Sequence, residues 1–323
     1  MGYLKEGVWH EGWYDTSRTG GQFVREQSKF RRWITADGSS GFPAEPGRYH
    51  IYVSLACPWA HRTLIFRKLK GLESVVSCSA VDPWMRANGW EFSEPDPLTG
   101  KRYLRDIYLL AAPDYSGRVT VPVLWDTKTR SIVNNESAEI IRMLNGEFDM
   151  HTDVRTDYYP RELRSEIDAI NEFVYTEINN GVYRCGFATR QDAYEENFDR
   201  LFRALDEVEA RLGRQRYLVG DRLTEADWRL FTTLLRFDAV YYSHFKCNRN
   251  RIEDYPNLSN YVRDLYQVPG VAETVDMDQI KRHYFASHTH LNPTGVVPKG
   301  PSTDFTRPHD RGRFAAAKRS ARA

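Results

Sequence analysis

The sequence predicts an α/β half followed by an all-α half. Two observations in the first half and one in the second carry this reading. A strand–helix–strand order occupies residues 48–81, two strands and a short helix occupy residues 119–146, and from about residue 160 the only period is helical.

The elements follow in order. Residues 1–45 are polar, aromatic and broken by Gly and Pro, which predicts an irregular amino-terminal arm. "RYHIYVSL" reads as a strand, "PWAHRTLIFRKLKG" as a helix closed by Gly71, and "VVSCSAV" as a second, buried strand. Strand, helix, strand implies a parallel pair with a crossover helix. Residues 83–117, rich in Pro, Gly, Trp and Asp, form a long insertion within a first domain spanning 46–150. "VTVPVLWD" and "SIVNN" predict two strands joined by the turn "TKTR", and "ESAEIIRMLN" an amphipathic helix. An all-helical domain over 160–290 includes "LTEADWRLFTTLLRFDAV", where Thr224 and Asp227 fit a capping box. Residues 291–323 form a carboxy-terminal extension ending in a basic stretch low in large apolar residues, expected to be a flexible tail.

Lys and Arg number 45 against 44 Asp and Glu, a net charge of +1 that gives no general signal for nucleic acid or anionic membrane. No apolar run approaches the roughly 18 residues of a spanning helix. The amino terminus lacks the basic start and apolar core of a secretory signal, and Glu6 stands where a myristoylation site takes Ser or Thr. Four scattered cysteines in a chain of 323 residues favour a reducing compartment, so the protein is expected to be cytoplasmic.

Cys57 carries the clearest chemistry. It sits between a predicted strand and a helix, with Pro58 at the first helical position, where a missing N–H costs nothing. The positive end of a helix stabilises a thiolate, and a thiolate is a nucleophile. In "CPWA" Ala60 stands where a redox pair would have its second cysteine. A disulfide formed at Cys57 must therefore be resolved by a thiol from solution, which in the cytoplasm is glutathione.

Two further groups suit that ligand. Val121-Pro122 interrupts a strand, where proline is excluded from the sheet interior. Either a trans proline on an edge strand or a cis peptide at a strand start would accommodate it. The latter leaves the Val121 main chain for an extended peptide ligand. In "NNESAEII", Ser137 and the N–H groups at the helix start suit a carboxylate, and Glu136 an ammonium. Both groups occur on one carbon at the γ-glutamyl end of glutathione. His283, His288 and His290 have no acidic or cysteine partner at metal-ligand spacing, so no metal is expected. His61 and Arg62 are expected to pair locally, away from the thiol. Cys185 is read as packing. The basic "HFKCNRNR" is read as a solvated face or a contact between copies, not a nucleic-acid site.

"YHIYVSLACPWAHRTLIFRKLKGLE", "TVPVLWD", "VNNESAEIIRM", "HFKCNRNRIEDYPNLSNYVRDLYQ" and "HYFASHTHLNPTGVVPKGP" together resemble the glutathionyl-hydroquinone reductases, the Xi class of glutathione transferases. The blocks fall in the family's order over residues 1–300. The resemblance implies a thioredoxin-like first domain, an all-helical second domain and a homodimer. It implies removal of glutathione from glutathionyl-hydroquinones, giving the hydroquinone and oxidised glutathione. It places glutathione on Trp90, Arg118, Val121, Glu136 and Ser137, and the ring near the hydroxyls of Tyr183 and Tyr284. Phe285 stands where that class commonly has another tyrosine. An omega-like thiol transferase or dehydroascorbate reductase shares Cys57 and the glutathione site and is the alternative. A non-enzymatic binding module of the same fold would tend to lose the nucleophile, which this chain keeps.

Overall fold

The computed structural model describes residues 2–314, so the last nine residues of the expected basic tail lie outside the described residues. The chain forms two compact units. The first comprises the chain up to Asp15, Arg25–Thr156 and Glu273–Val297; the second comprises Thr16–Val24, Asp157–Ala272 and the chain from Pro298.

The first unit is built on a mixed four-stranded sheet. Strand β3 (Tyr49–Val53) pairs in parallel with β4 (Ser77–Ala80) and antiparallel with β6 (Val123–Asp126), which in turn pairs with β7 (Ser131–Asn134). Every residue of β3 and β6 is buried, which explains their near-continuous apolar spelling. Helix α1 (Pro58–Leu69) is the expected crossover between the parallel strands, and Gly71 takes the left-handed conformation that closes it. Helix α3 (Ser137–Gly146) follows β7 and packs on α1.

The amino-terminal arm is more regular than its composition suggested. Strands β1 (Gly2–Lys5) and β2 (Val8–Glu11) form a hairpin, and β1 also pairs with β5 (Gly117–Arg118). Further on, the Arg32 N–H donates to Val133 O at 3.0 Å and the Asn135 N–H to Phe30 O at 3.1 Å, so the arm runs along the edge of β7. The β5 partner of β1 and the β7 partners of Phe30 and Arg32 lie about 100 residues away, which no local pattern reveals. The insertion likewise contains a helix, α2 (Leu104–Ala111), whose Tyr108 hydroxyl donates to Thr120 O at 2.8 Å. The short helix α10 (Met277–Ser287) belongs to this unit: His283 Nδ1 lies 2.9 Å from Pro83 O.

Helices α4 (Arg164–Phe173), α5 (Gly181–Phe187), α6 (Gln191–Leu212), α7 (Glu225–Arg236), α8 (Tyr242–His244) and α9 (Pro256–Tyr266) make the second unit. Helix α7 is buried along its whole length. Its expected capping box is present, with the Thr224 N–H donating to Asp227 at 2.9 Å. The same carboxyl accepts from Tyr261 Oη and the Leu218 N–H, both at 2.8 Å, and burial pushes its pKa up to about 6.

The expectation of a flexible tail fails for the described part of the extension. Arg311 is fully buried and donates to the carbonyls of Leu212, Gln215 and Arg216 at 2.8, 2.6 and 2.6 Å. Those carbonyls lie at and beyond the end of α6, where helical acceptors lack intrahelical partners. A low apolar content had suggested no anchor; a guanidinium satisfying helix-end carbonyls provides one.

The first unit's sheet is pinned by a buried ion pair. Arg48, just before β3, donates to both carboxylate oxygens of Asp126 at the end of β6, at 2.9 and 2.6 Å. Burial raises the Asp126 pKa, but hydrogen bonds from Arg48, Thr129 and the Lys128 N–H outweigh it and hold the group below the usual aspartate value. A lowered folded-state pKa contributes stability above the unfolded value, about 4, that is lost as pH falls through the folded one. Replacing Asp126 by Ala strands the guanidinium and should cost about 3–5 kcal/mol in chemical denaturation at neutral pH. The difference between Asp126→Ala and wild type should shrink as pH is lowered below about 4; a gap independent of pH would contradict this assignment.

Candidate functional site

The chain leaves β3 at Val53, turns through Ser54–Ala56 and enters α1 with Cys57 as its N-cap in an extended conformation, φ −77° and ψ 123°. The Cys57 N–H donates to Ser54 O at 3.0 Å, and its carbonyl accepts from the His61 N–H at 2.9 Å, the first bond of the helix. The side chain makes no cap bond and remains partly exposed. It points across to the segment before β6, where the Sγ–O distance to the Val121 carbonyl is 3.6 Å. A thiol here faces the first-turn N–H groups and the positive end of the α1 dipole.

The other sulfurs contrast with it. Burial pushes the Cys78 thiol in β4 up to about 11 and raises that of Cys247 well above its ordinary value. Neither is a thiolate at neutral pH. Ala60 is completely buried in the first turn of α1, so the place of a resolving cysteine is filled by a methyl group.

Val121 precedes a cis peptide bond to Pro122, and β6 begins at Val123. The Val121 N–H has no acceptor among the described residues. At the start of α3 the roles of two neighbours separate. Glu136 is the N-cap, and its Oε1 accepts from the Ala138 N–H at 3.1 Å while Oε2 accepts from Ser28 Oγ at 3.1 Å. Ser137, the first helical residue, is buried and accepts from Arg62 Nη1 at 3.3 Å.

The expectation that His61 and Arg62 pair locally holds for Arg62 against Trp59, but both residues also reach beyond their own helix. Arg62 crosses to α3, lying also 4.6 Å over the Trp59 ring, and His61 Nε2 lies 2.8 Å from Thr274 Oγ1. Both residues are buried on α1. Ser28 was equally invisible in sequence, because its contact to Glu136 spans 108 positions.

Trp90 and Tyr284 come together through His283. The Trp90 indole stacks on the His283 imidazole with centroids 4.8 Å apart at 23°, and the Tyr284 ring meets the same imidazole edge-on at 5.2 Å. Phe285, the next residue, is also buried. Arg118 has a different setting from the thiol: its guanidinium donates to Gly2 O, Gly12 O and Trp13 O at 3.2, 2.9 and 2.9 Å and lies 4.2 Å from the Tyr14 ring centroid. It borders a small cleft shared with Ser28, Lys29, Thr120 and Asn135. Tyr183 belongs to the second unit, on α5, packed against Phe245 at 5.4 Å, Phe187 at 5.8 Å and Tyr241 at 6.0 Å. Among the described residues no group of three or more His, Cys, Asp or Glu could hold a metal ion, and no helix is long and apolar enough to cross a membrane.

A partly exposed thiol at a helix start, an unpaired backbone edge beside it and a helix amino end bearing Ser and Glu together suit a γ-glutamyl thiol. Comparison with known proteins agrees. Residues 56–147 match the glutathione S-transferase N-terminal domain and residues 191–264 the C-terminal domain. Glutathionyl-hydroquinone reductase YqjG of Escherichia coli (strain K12) is 55% identical, covering 96% of this chain and 98% of that protein. Its glutathione-bound structure superposes with a TM-score of 0.88 at 52% identity over 96% of this chain and 99% of that one. Glutathionyl-hydroquinone reductase PcpF of Sphingobium chlorophenolicum is 54% identical over 94% of this chain and 97% of its own. The Xi class transferase of Natrialba magadii has a TM-score of 0.90 at 48% identity, covering 97% of each chain. Thioredoxin-like sheet, helical second unit and a lone nucleophile thus have one common explanation: the chain belongs to the glutathionyl-hydroquinone reductases, the Xi class of the glutathione transferase family.

Proposed function

We propose that the protein is a glutathione-dependent enzyme that reduces glutathionyl-hydroquinones to hydroquinones through a Cys57–glutathione mixed disulfide. The observation that carries this reading is Cys57 at the amino end of α1 with Ala60 buried where a second thiol would stand. The reductase relatives favour it over an omega-like thiol transferase.

The steps balance as follows. The Cys57 thiolate attacks the thioether sulfur, forming an S–S bond as the sulfur–ring bond breaks. The electron pair goes to the ring carbon, which takes up a proton. Tyr183 and Tyr284 hydrogen-bond the ring oxygens and assist passage through the keto tautomer. The thiolate of a second glutathione then attacks the mixed disulfide, releasing oxidised glutathione and restoring the Cys57 thiolate. Glutathione is thus a substrate. Val121 pairs with its cysteinyl backbone, Ser137 and the α3 N–H groups take its glutamyl carboxylate, Glu136 takes the ammonium, and Trp90 and Arg118 border it. The reaction is cytoplasmic and the enzyme a homodimer, for which the expected sedimentation behaviour is a dimer at micromolar concentration. A monomer there would remove the dimer from the proposal.

Replacing Cys57 by Ser exchanges a polarisable thiolate for a hydroxyl that stays protonated at neutral pH. The variant should bind glutathione and show no reductase activity. Wild type given substrate but starved of free glutathione should stop after one turnover, with one glutathione per chain by mass spectrometry, attached at Cys57 and removable by added thiol. An unmodified Cys57 under those conditions, or a serine variant that still turns over, would sink the covalent mechanism.

Tyr183→Phe and Tyr284→Phe each remove one hydroxyl from the developing charge. Each should lower kcat/KM for a glutathionyl-hydroquinone by about 10- to 1,000-fold while leaving glutathione affinity unchanged. Full turnover in both variants would take the ring site elsewhere.

A further inference from the structure

We propose that Arg62 is a positioning residue for the glutathione site, acting through Ser137: it fixes the Ser137 hydroxyl as a hydrogen-bond donor towards the ligand and so selects a carboxylate there. The proposal rests on the glutathione reading of the same site given above.

The argument begins with what each group can do. A guanidinium has only donors, so in the 3.3 Å contact between Arg62 Nη1 and Ser137 Oγ the serine must accept. A hydroxyl has one hydrogen. With its acceptor side turned to Arg62, that hydrogen is left for another acceptor, and among the described residues none takes it. Ser137 is the first residue of α3, and its own N–H has no acceptor among the described residues. Glu136 takes the Ala138 N–H with Oε1 and the Glu139 and Ile140 N–H groups with its carbonyl. The serine hydroxyl and the Ser137 N–H are the donors left at this helix start among the described residues.

Charge acts in the same sense. Arg62 is 1% exposed, so water screens its field weakly, and it cannot lose its proton. Contacts with Ser137 and with the Trp59 ring, 4.6 Å from the guanidinium carbon, help to fix its position. Arg25 lies 4.9 Å from the centroid of that same ring, so two cations meet one indole two residues from Cys57. A neutral amide at the start of α3 would accept the serine hydrogen but gain little from this charge. A carboxylate gains from both.

A double-mutant cycle separates this role from simple packing. Glutathione affinity is measured by calorimetry for wild type, Arg62→Met, Ser137→Ala and the double variant, with thermal melting as the control for folding. Arg62→Met should raise Kd by about 10-fold. In the Ser137→Ala background the same change should raise it by less than about 3-fold, because its target is gone. An equal effect in both backgrounds, or none in either, overturns the proposal. Should Arg62→Met not fold, wild type alone still decides: glutathione should bind at least about 10-fold more tightly than its analogue with the glutamyl α-carboxylate converted to carboxamide. Equal affinities overturn the proposal. A wild-type protein that binds neither would instead refute the glutathione reading itself.

Discussion

The packing of α1 on α3 is the constraint on which the rest of the site depends. Each helix follows a strand of the same sheet, and each begins with a residue whose first-turn N–H groups face outwards. Arg62 ties one to the other from the second turn of α1. Cys57 lies five residues earlier, about 7 Å along the helix axis. A thiol and a helix start are thereby borne on two helices tied to each other. The carbonyl of Val121 completes the set from the segment entering β6. None of these positions is adjustable alone, since each is the terminus of an element whose interior is buried.

The amino-terminal arm contributes in a way that a sheet-and-helix outline omits. Ser28 reaches the Asn135 carbonyl at 3.2 Å as well as the Glu136 carboxylate, and the Phe30 N–H donates to Asn135 Oδ1 at 3.1 Å. The arm therefore orders the turn between β7 and α3 from beyond the β7 edge. Arg118 does similar work at the other end of the arm by gathering carbonyls of Gly2, Gly12 and Trp13. Ordering several exposed loop residues costs about 1–2 kcal/mol each in backbone entropy, so such ties are needed wherever a loop borders a site.

What the sequence showed and what it hid divide along one line. The strand–helix–strand order, the closing Gly71 and the capping box of α7 depend on periods and spacings within about 15 residues, and all are legible. Cys57 was legible for the same reason, because strand, Pro58 and Ala60 are its immediate neighbours. The contacts of Arg62, Ser28 and Arg311 were not, since each joins residues between 75 and 108 positions apart. Arg311 is the instructive case. Composition marked its surroundings as unanchored, yet a buried guanidinium needs carbonyl acceptors rather than apolar neighbours, and a helix end supplies them.

The buried methyl of Ala60 has a consequence for how such a protein stands towards its surroundings. A dithiol pair keeps a redox state of its own and can be left oxidised after its partner has gone. Here Ala60 offers no second thiol in the first turn of α1 and burial holds the Cys78 and Cys247 thiols protonated, so Cys57 itself cannot retain an oxidising equivalent once the bound tripeptide leaves. Its working state is set from outside, by how much reduced thiol the surrounding medium supplies. Such a molecule is a conduit and not a reservoir.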